Sequence, residues 1–232
     1  MRTILLKFAG PLQSWGTNSR FEVRSTDRYP SRSAVVGVLA ASFGYSRDDE
    51  RIREFDKLDY AVRVDQPGEL LNDYHVARRF KPNGAIDQVY VTERHYLQDA
   101  VFVVALGNDD EQLMTDIEHA LKHPYFQPFL GRRSNPLTAD FFVSTRDKNV
   151  VASLEDLEWQ ASAWYRRKHT GKVRLTIYAD AHLIEACSRQ MVRDRVISFS
   201  QRERLHGYRA VGRKDTVVGP SGELNHDAFD AF

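Results

Sequence analysis

Blocks of apolar residues separated by polar segments run along the chain and predict an α+β fold. Residues 3–8 are almost continuously apolar, which is typical of a strand covered on both faces. Residues 100–106 form the strongest run of this kind, because β-branched and apolar side chains favour a central strand. Residues 60–64 predict a third strand, and residues 141–143 predict a fourth.

Three segments have the residue types of helices. Ser31 or Ser33 is expected to cap a thin, Gly/Ala-rich helix that ends at Gly44. The aspartates at residues 109–110 are expected to cap a second helix, which runs to residue 122. A charged helix is predicted over residues 48–58.

Residues 73–77 and 89–92 predict the two arms of a β-hairpin, separated by a basic, turn-rich tip at residues 78–84. In chain order the elements are strand, helix, strand, hairpin, strand, helix and strand, which is a split β-α-β arrangement. The sequence therefore predicts a ferredoxin-like (RRM-like) βαββαβ core with an inserted hairpin over residues 1–147.

The pattern weakens beyond residue 147. Strands are predicted over residues 172–178, 182–186 and 192–197, and a loose acidic tail closes the sequence. Residues 148–232 are therefore interpreted as a smaller, β-rich C-terminal extension.

Charge changes this picture only locally. The 232 residues include 33 Lys and Arg against 32 Asp and Glu, a net charge of +1, so no overall basic field indicates nucleic acid. The arginines nevertheless cluster at residues 20–32, 78–81, 132–133, 166–174 and 202–214, apart from the acidic segments. A nucleic-acid site would have to come from this segregation.

The single cysteine, Cys187, excludes an internal disulfide and a cysteine-based metal cluster, which suits a reducing cytosol. No apolar run approaches the roughly 20 residues needed to cross a bilayer. We expect a cytoplasmic protein with no membrane partner, no metal and no cofactor.

The loop after the first strand has an unusual composition. Gly10 and Pro11 end the strand, and Gln13, Ser14, Trp15 and Gly16 follow in place of a typical solvated turn. Two interpretations of Trp15 stay open. It closes one end of the core, or it packs on a partner or a base.

Two arginine segments are candidate phosphate sites. Arg28 and Arg32 precede the expected helix, whose N-terminus beside Ser33 offers free N–H groups; the alternative is a solvated surface. The loop at residues 130–136 combines a flexible glycine, two guanidinium groups and two small polar side chains, which can wrap a phosphate; the alternative is an exposed basic turn.

The predicted hairpin interleaves cations with flat side chains, which is typical of single-stranded RNA binding. An alternative is that His75 and His95 act as a general acid/base pair in metal-free RNA cleavage. No hydrolase, nucleotide-binding or metalloenzyme motif accompanies them.

Several separated motifs together resemble one family. They are LKFAGPLQSWG at residues 6–16, PSRS at 30–33, DYH at 73–75, RHYL at 94–97 and LGRRSNPLT at 130–138. In this order they resemble the Cas-five family of repeat-associated (RAMP) subunits in type I-E CRISPR surveillance complexes (Cascade). The resemblance spans most of residues 3–145.

The resemblance implies a non-catalytic scaffold with a hairpin thumb at about residues 76–94, which binds and caps the 5′ handle of the CRISPR RNA in antiviral defence. The implied partners are the CRISPR RNA, the CasC backbone subunit, the large CasA subunit and the other Cascade subunits. A relative in type I-C systems is a processing endoribonuclease, so a metal-independent endoribonuclease is the alternative.

The candidate RNA-binding residues lie in the opening loop, before and at the first helix, in the hairpin and in the loop at 130–136. They are Gln13, Ser14, Trp15, Gly16, Arg28, Arg32, Ser33, His75, Arg78, Arg79, Lys81, Arg94, His95, Tyr96, Gly131, Arg132, Arg133, Ser134 and Asn135.

Overall fold

The computed structural model describes residues 1–17, 22–185 and 189–219, and it has an α+β architecture. The strands in these ranges are β1 (Arg2–Ala9), β2 (Leu12–Gln13), β3 (Val23–Arg24), β4 (Asp59–Gln66), β5 (Glu69–Phe80), β6 (Ile86–Gln98), β7 (Val101–Asn108), β8 (Phe142–Arg146), β9 (Val173–Asp180), β10 (Arg189–Ser198) and β11 (Leu205–Val218). The helices are α1 (Arg32–Phe43), α2 (Glu111–Lys122), α3 (Val150–Glu155) and α4 (Ala163–Arg167), with a 3-10 helix over Glu50–Lys57.

A large antiparallel sheet forms the centre of the fold. Within the described ranges it has seven strands in the order β10-β11-β9-β4-β7-β1-β8. The strands predicted over residues 60–64 and 141–143 are β4 and β8. The predicted central position of residues 3–8 and 100–106 is confirmed, because β1 and β7 each have a neighbour on both sides.

Side chains of the sheet alternate between two apolar cores. Ile4 and Leu6 of β1 pack on the face that α1 and α2 cover, where they join Leu39. Leu5 points to the opposite face and packs in a second cluster with Val150 of α3. Both faces of the central strands are therefore buried, which explains their nearly continuous apolar sequence.

The predicted ends of α1 and the predicted start of α2 are confirmed. The Ser31 hydroxyl accepts from the N–H of Ala34, and Gly44 adopts the left-handed conformation with φ of 75° that ends α1. Asp110 caps α2 by accepting from the N–H of Leu113 at 3.0 Å.

The charged helix predicted over residues 48–58 is a 3-10 helix instead. Its buried residues, Ile52 and Phe55, are three apart, and this spacing matches the three residues per turn of a 3-10 helix. Asp49 caps it and accepts from the N–H of Arg51 at 3.0 Å.

The predicted hairpin is present and is longer than expected. β5 and β6 pair continuously from Glu69–Gln98 to Arg79–Gln88, so residues 78–80 belong to a strand and not to the tip. At the base of the hairpin, β2 and β3 pair with successive parts of β6, on the side of β6 that β5 leaves open.

Strands after residue 147 continue the central sheet. β9 pairs with β4, and β11 then joins β9 to β10. The strands predicted over 172–178 and 192–197 are confirmed as β9 and β10. The strand predicted over 182–186 is wrong for residues 182–185, which form a turn closed by the Leu183 N–H on the Asp180 carbonyl. Residue 186, Cys187 and the acidic tail from residue 220 lie outside the described residues.

A buried ionic cluster joins these late strands to the start of α1. Arg209 of β11 donates to both oxygens of Asp194 at 2.7 and 2.9 Å and to Asp180 at 2.8 Å. Asp180 also accepts from the Arg32 guanidinium at 2.7 Å, and Asp194 accepts from the Arg32 backbone N–H at 2.8 Å. The cluster fixes β9, β10 and β11 against α1.

Candidate nucleic-acid interface

Three segments that are far apart in sequence meet at the base of the hairpin. The opening loop (residues 10–16) contacts the arginine loop (residues 130–136) through the Ser14 N–H, which donates to the Leu130 carbonyl at 3.2 Å. The Ser14 hydroxyl donates to the His95 carbonyl of β6 at 3.2 Å. The Arg132 guanidinium donates to the carbonyls of His95 and Arg24, at 3.2 and 3.0 Å. The structure thus brings three of the predicted motifs together.

Gly131 allows this close approach. Its φ of +79° lies in the left-handed region, and a β-carbon at this position would overlap the carbonyl oxygen of Ser14. The Leu130 N–H donates to the Asn135 carbonyl at 2.7 Å and closes the arginine loop. Asn135 is buried, and the Ser134 hydroxyl donates to its side-chain oxygen at 3.1 Å. Asn135 and Ser134 therefore stabilise the loop.

Trp15 and Gln13 belong to the core, which corrects their placement among the RNA-binding residues. The Trp15 ring stacks on Phe8 with centroids 5.5 Å apart, and the indole N–H donates to the Gln13 side-chain oxygen at 3.2 Å. The Gln13 amide donates to the carbonyls of Phe8 and Ala100, at 3.2 and 2.7 Å. Because the opening loop follows directly on the buried strand β1, its largest side chain, Trp15, packs at that end of the core.

The expectation of a phosphate seat at the start of α1 is also corrected. The Asp194 carboxylate already accepts from the Arg32 N–H, and the Arg32 guanidinium is committed to Asp180 and to the carbonyls of Asp56 and Leu58. A carboxylate of the protein therefore occupies the position expected for a phosphate.

A groove of about 650 Å³ runs over α1 beside the opening and arginine loops. Its floor includes the small residues of α1, among them Ala34, Gly37 and Ala41, which leave room above the helix. Of the predicted residues, the groove collects Ser14, Trp15, Gly16, Ser33, Gly131 and Arg133.

The walls of the groove carry positive charge and aromatic rings. Arg47, Arg133 and Arg204 line it, all three are exposed, and none has an ion-pair partner in the described part of the chain. No carboxylate is among its described lining residues. Phe126 and Phe199 add flat apolar surfaces. This combination of unpaired cations and rings suits single-stranded nucleic acid.

A histidine beside these arginines, His206, has a lowered pKa. His206 contacts Phe199 edge to face, with ring centroids 6.1 Å apart. Burial, followed by the charges of Arg204 and Arg193, lowers the pKa of His206. Both causes disfavour a further positive charge on His206 at this end of the groove.

The register of the hairpin separates the two histidines proposed as an acid/base pair. His75 is opposite Thr92, and His95 is three residues further along β6. Because successive strand residues point to opposite faces, His75 and His95 lie on opposite faces of the hairpin. The hypothesis of a His75–His95 catalytic pair is therefore wrong.

One hairpin face continues toward the arginine loop. It carries His75, Arg94 and Tyr96, and the Arg132 guanidinium stacks over the Tyr96 ring at 4.2 Å. Nδ1 of His75, Nε of Arg94 and Nη1 of Arg132 are buried and lack a hydrogen-bond partner within the described residues. Unpaired buried polar atoms are costly, so the hydrogen bonding of this face is incomplete at these three atoms.

The remaining predicted residues are dispersed. Arg79 is paired with Asp87, whereas Arg78 and Lys81 are exposed near the tip. Arg28 lines a different cavity. The sequence did not single out Arg47, Arg204, Phe126 or Phe199. It shows an arginine-rich segment at 202–214 and an aromatic run at 125–129, but it does not show that the two segments meet over α1.

Within the ranges that the structure describes, no group of three His, Cys, Asp or Glu side chains is placed to hold a metal ion. Among the same residues, no helix has the length and apolar character to cross a membrane.

The comparison with protein families decides the relationship. The model of the CRISPR-associated protein (Cas_Cas5) family matches residues 3–212. The chain belongs to this family. The CRISPR system Cascade subunit CasD of Escherichia coli (strain K12) is 35% identical to this chain over 157 residues, which are 61% of this chain and 70% of CasD.

Solved structures support the Cas_Cas5 assignment. A chain of a CRISPR RNA-guided surveillance complex is 28% identical, with a TM-score of 0.78 over 96% of this chain and 95% of that chain. A Cas protein crystal structure is 30% identical, with a TM-score of 0.64 over 94% and 95% of the two chains. Both similarities extend beyond residue 147, where motif resemblance ended.

Proposed function

We propose that this Cas_Cas5 protein is a non-catalytic RNA-binding subunit of a type I-E CRISPR surveillance complex, in which it holds and caps the 5′ handle of the CRISPR RNA. The observation that carries the proposal is the groove over α1, with three unpaired arginines and no carboxylate among its described lining residues. The similarity to Cascade subunit CasD supports the assembly, and the loss of the His75–His95 pair favours binding over cleavage.

The proposed architecture is a ferredoxin-like core extended by a thumb. Its support is the order β4-β7-β1-β8, with every neighbouring pair antiparallel and with α1 and α2 on one face. The β5–β6 hairpin is the proposed thumb. We place the unit boundary at residue 147, with residues 148–232 as an extension that shares the sheet.

RNA would contact both the groove and the polar face of the hairpin. Arg47, Arg133 and Arg204 would bind phosphates, while Phe126 and Phe199 offer surfaces on which bases stack. Nδ1 of His75, Nε of Arg94 and Nη1 of Arg132, which have no hydrogen-bond partner within the described residues, would gain one. The CasC backbone subunit and the large CasA subunit are the proposed neighbours, in the cytoplasm.

We expect Arg47→Ala combined with Arg204→Ala to weaken binding of the repeat-derived handle RNA about tenfold. When fewer phosphates are contacted, RNA binding releases fewer counterions. The slope of log affinity against log salt should therefore become shallower by about 1.4 for two lost contacts on a single strand. Fluorescence anisotropy at several salt concentrations, with EDTA present, measures both quantities.

A charge-matched control is Arg53→Ala combined with Arg189→Ala, because both arginines are exposed and neither lines the groove. This variant should retain the slope of the unmodified protein. Equal slopes for the two double variants would reject the groove as the RNA site. Cleavage of the RNA in EDTA would reject the non-catalytic role.

A further inference from the structure

A second cavity, of about 380 Å³, lies on the other side of Pro30 from the groove. Arg28 and Tyr29 line it before Pro30, and Arg174 and Tyr178 line it from β9. Tyr165 of α4 contributes a further ring. The proposed function makes no use of this cavity.

Aromatic rings give the cavity flat walls. Tyr29 and Tyr178 stack on each other, with centroids 4.1 Å apart and planes inclined by 12°. A tyrosine hydroxyl keeps its proton at neutral pH and can donate a hydrogen bond, and burial raises the pKa of Tyr29 further, to about 12. Val64 and Leu175 add apolar surface. Such a wall accommodates a planar, partly polar group.

The cavity is electrostatically positive. Arg28 and Arg174 are exposed and have no hydrogen bond or ion pair in the described ranges. The carboxylate among the described lining residues, Asp65, is buried and accepts from two nitrogens of Arg63, both at 2.7 Å. It also accepts from the Gln160 N–H at 2.6 Å. Its charge is thus neutralised, whereas those of Arg28 and Arg174 are not.

We propose that this cavity binds one nucleotide unit, with its phosphate at Arg28 and Arg174 and its base against the tyrosine rings. Guanidinium groups bind phosphate oxygens through paired N–H donors, and tyrosine rings stack on bases of any sequence. The same chemistry serves a free nucleoside monophosphate or an unpaired nucleotide of an RNA strand.

The position of the cavity allows the strand form. Tyr29 lines the cavity and Ser31 lines the groove, and two residues span at most about 7 Å. The cavity and the groove therefore adjoin the same short segment, and in the strand form the RNA passes from one to the other around the buried Pro30. This strand form rests on the proposed function, whereas binding of a free nucleotide does not.

The test titrates the full chain with AMP, with UMP and with a short uridine-only RNA, using ligand-observed NMR for the free nucleotides and anisotropy for the RNA. Arg28→Ala combined with Arg174→Ala should weaken binding of the true ligand about tenfold. Arg53→Ala combined with Arg189→Ala is the charge-matched control and should have no effect. RNA containing 4-thiouridine should crosslink to Tyr29 or Tyr178.

The outcomes distinguish a free nucleotide from a nucleotide of an RNA strand, and they test the cavity separately from the groove. Loss of AMP or UMP binding identifies a free nucleotide, and loss of RNA binding alone identifies a strand nucleotide. Unchanged binding of all three ligands, relative to the control, overturns the inference. The Arg47→Ala and Arg204→Ala substitutions test only the groove. If they leave RNA binding unchanged while Arg28→Ala combined with Arg174→Ala weakens nucleotide binding, the proposed function is rejected and the cavity inference stands.

Discussion

Asp180→Asn is expected to lower the free energy of unfolding by about 3–5 kcal/mol, because it removes one carboxylate from a buried ionic cluster. Asp180 accepts from Arg32 at 2.7 Å, from Arg209 at 2.8 Å and from the Tyr60 N–H at 3.1 Å. An asparagine would leave the Arg209 guanidinium with Asp194 alone, and the Arg32 guanidinium with the partly exposed Asp56 at 3.9 Å. The desolvation cost of the arginines would then no longer be compensated.

Chemical unfolding monitored by circular dichroism measures this effect. For a chain of this size, each kcal/mol shifts Tm by roughly 2–4 °C, so a fall of about 6–20 °C is expected. Asp156→Asn is the matched control, because it breaks an exposed ion pair with Lys148, and it should cost at most about 1 kcal/mol. Similar losses for the two variants would show that the cluster does not stabilise the fold.

Gly131→Ala is expected to have the second large effect, and to change RNA binding as well as stability. A β-carbon on Gly131 would overlap the Ser14 carbonyl, so the arginine loop would have to separate from the opening loop. We expect a loss of at least about 3 kcal/mol, which adds steric overlap to left-handed backbone strain of about 1–2 kcal/mol. Because Gly131 and Arg133 line the groove, handle RNA affinity should fall at least about tenfold.

Gly84→Ala provides a control with the same backbone strain. Gly84 has a φ of +80° at the hairpin tip, close to the +79° of Gly131, and nothing lies within 4 Å of the position of its β-carbon. It should therefore show the strain without the overlap. Unfolding titrations and anisotropy on both variants give the comparison. Equal stability losses and equal RNA affinities would mean that the contact between the two loops is unimportant.

Local patterns were sufficient to predict the central elements. Continuous apolar runs identified β1 and β7, because polar and apolar residues do not alternate in strands that are buried on both faces. Ser31 and Gly44 marked the ends of α1, since capping depends on residues adjacent in sequence. The same local reasoning predicted a helix over residues 48–58 but not its 3-10 type, because charge content alone does not distinguish a three-residue period from one of 3.6.

The candidate site depended on distant pairings that no local pattern contains. Arg32 was selected as a phosphate ligand, yet its partners Asp180 and Asp194 lie well over a hundred residues further along the chain. His75 and His95 were paired because each was assigned to an arm of the predicted hairpin, and only the strand register shows that they point apart. The arginines of the groove come from three separate loops; the sequence selected Arg133, whereas Arg47 and Arg204 looked like ordinary surface residues.

The pairing of β9 with β4 has a consequence for shortened forms of the protein. β9 covers one long edge of β4, whose residues from Tyr60 to Arg63 are buried. A chain ending before residue 173 would expose the N–H and C=O groups of this apolar edge to other molecules, and open edges of this kind recruit further strands. The late strands therefore protect the chain from self-association, in addition to anchoring α1.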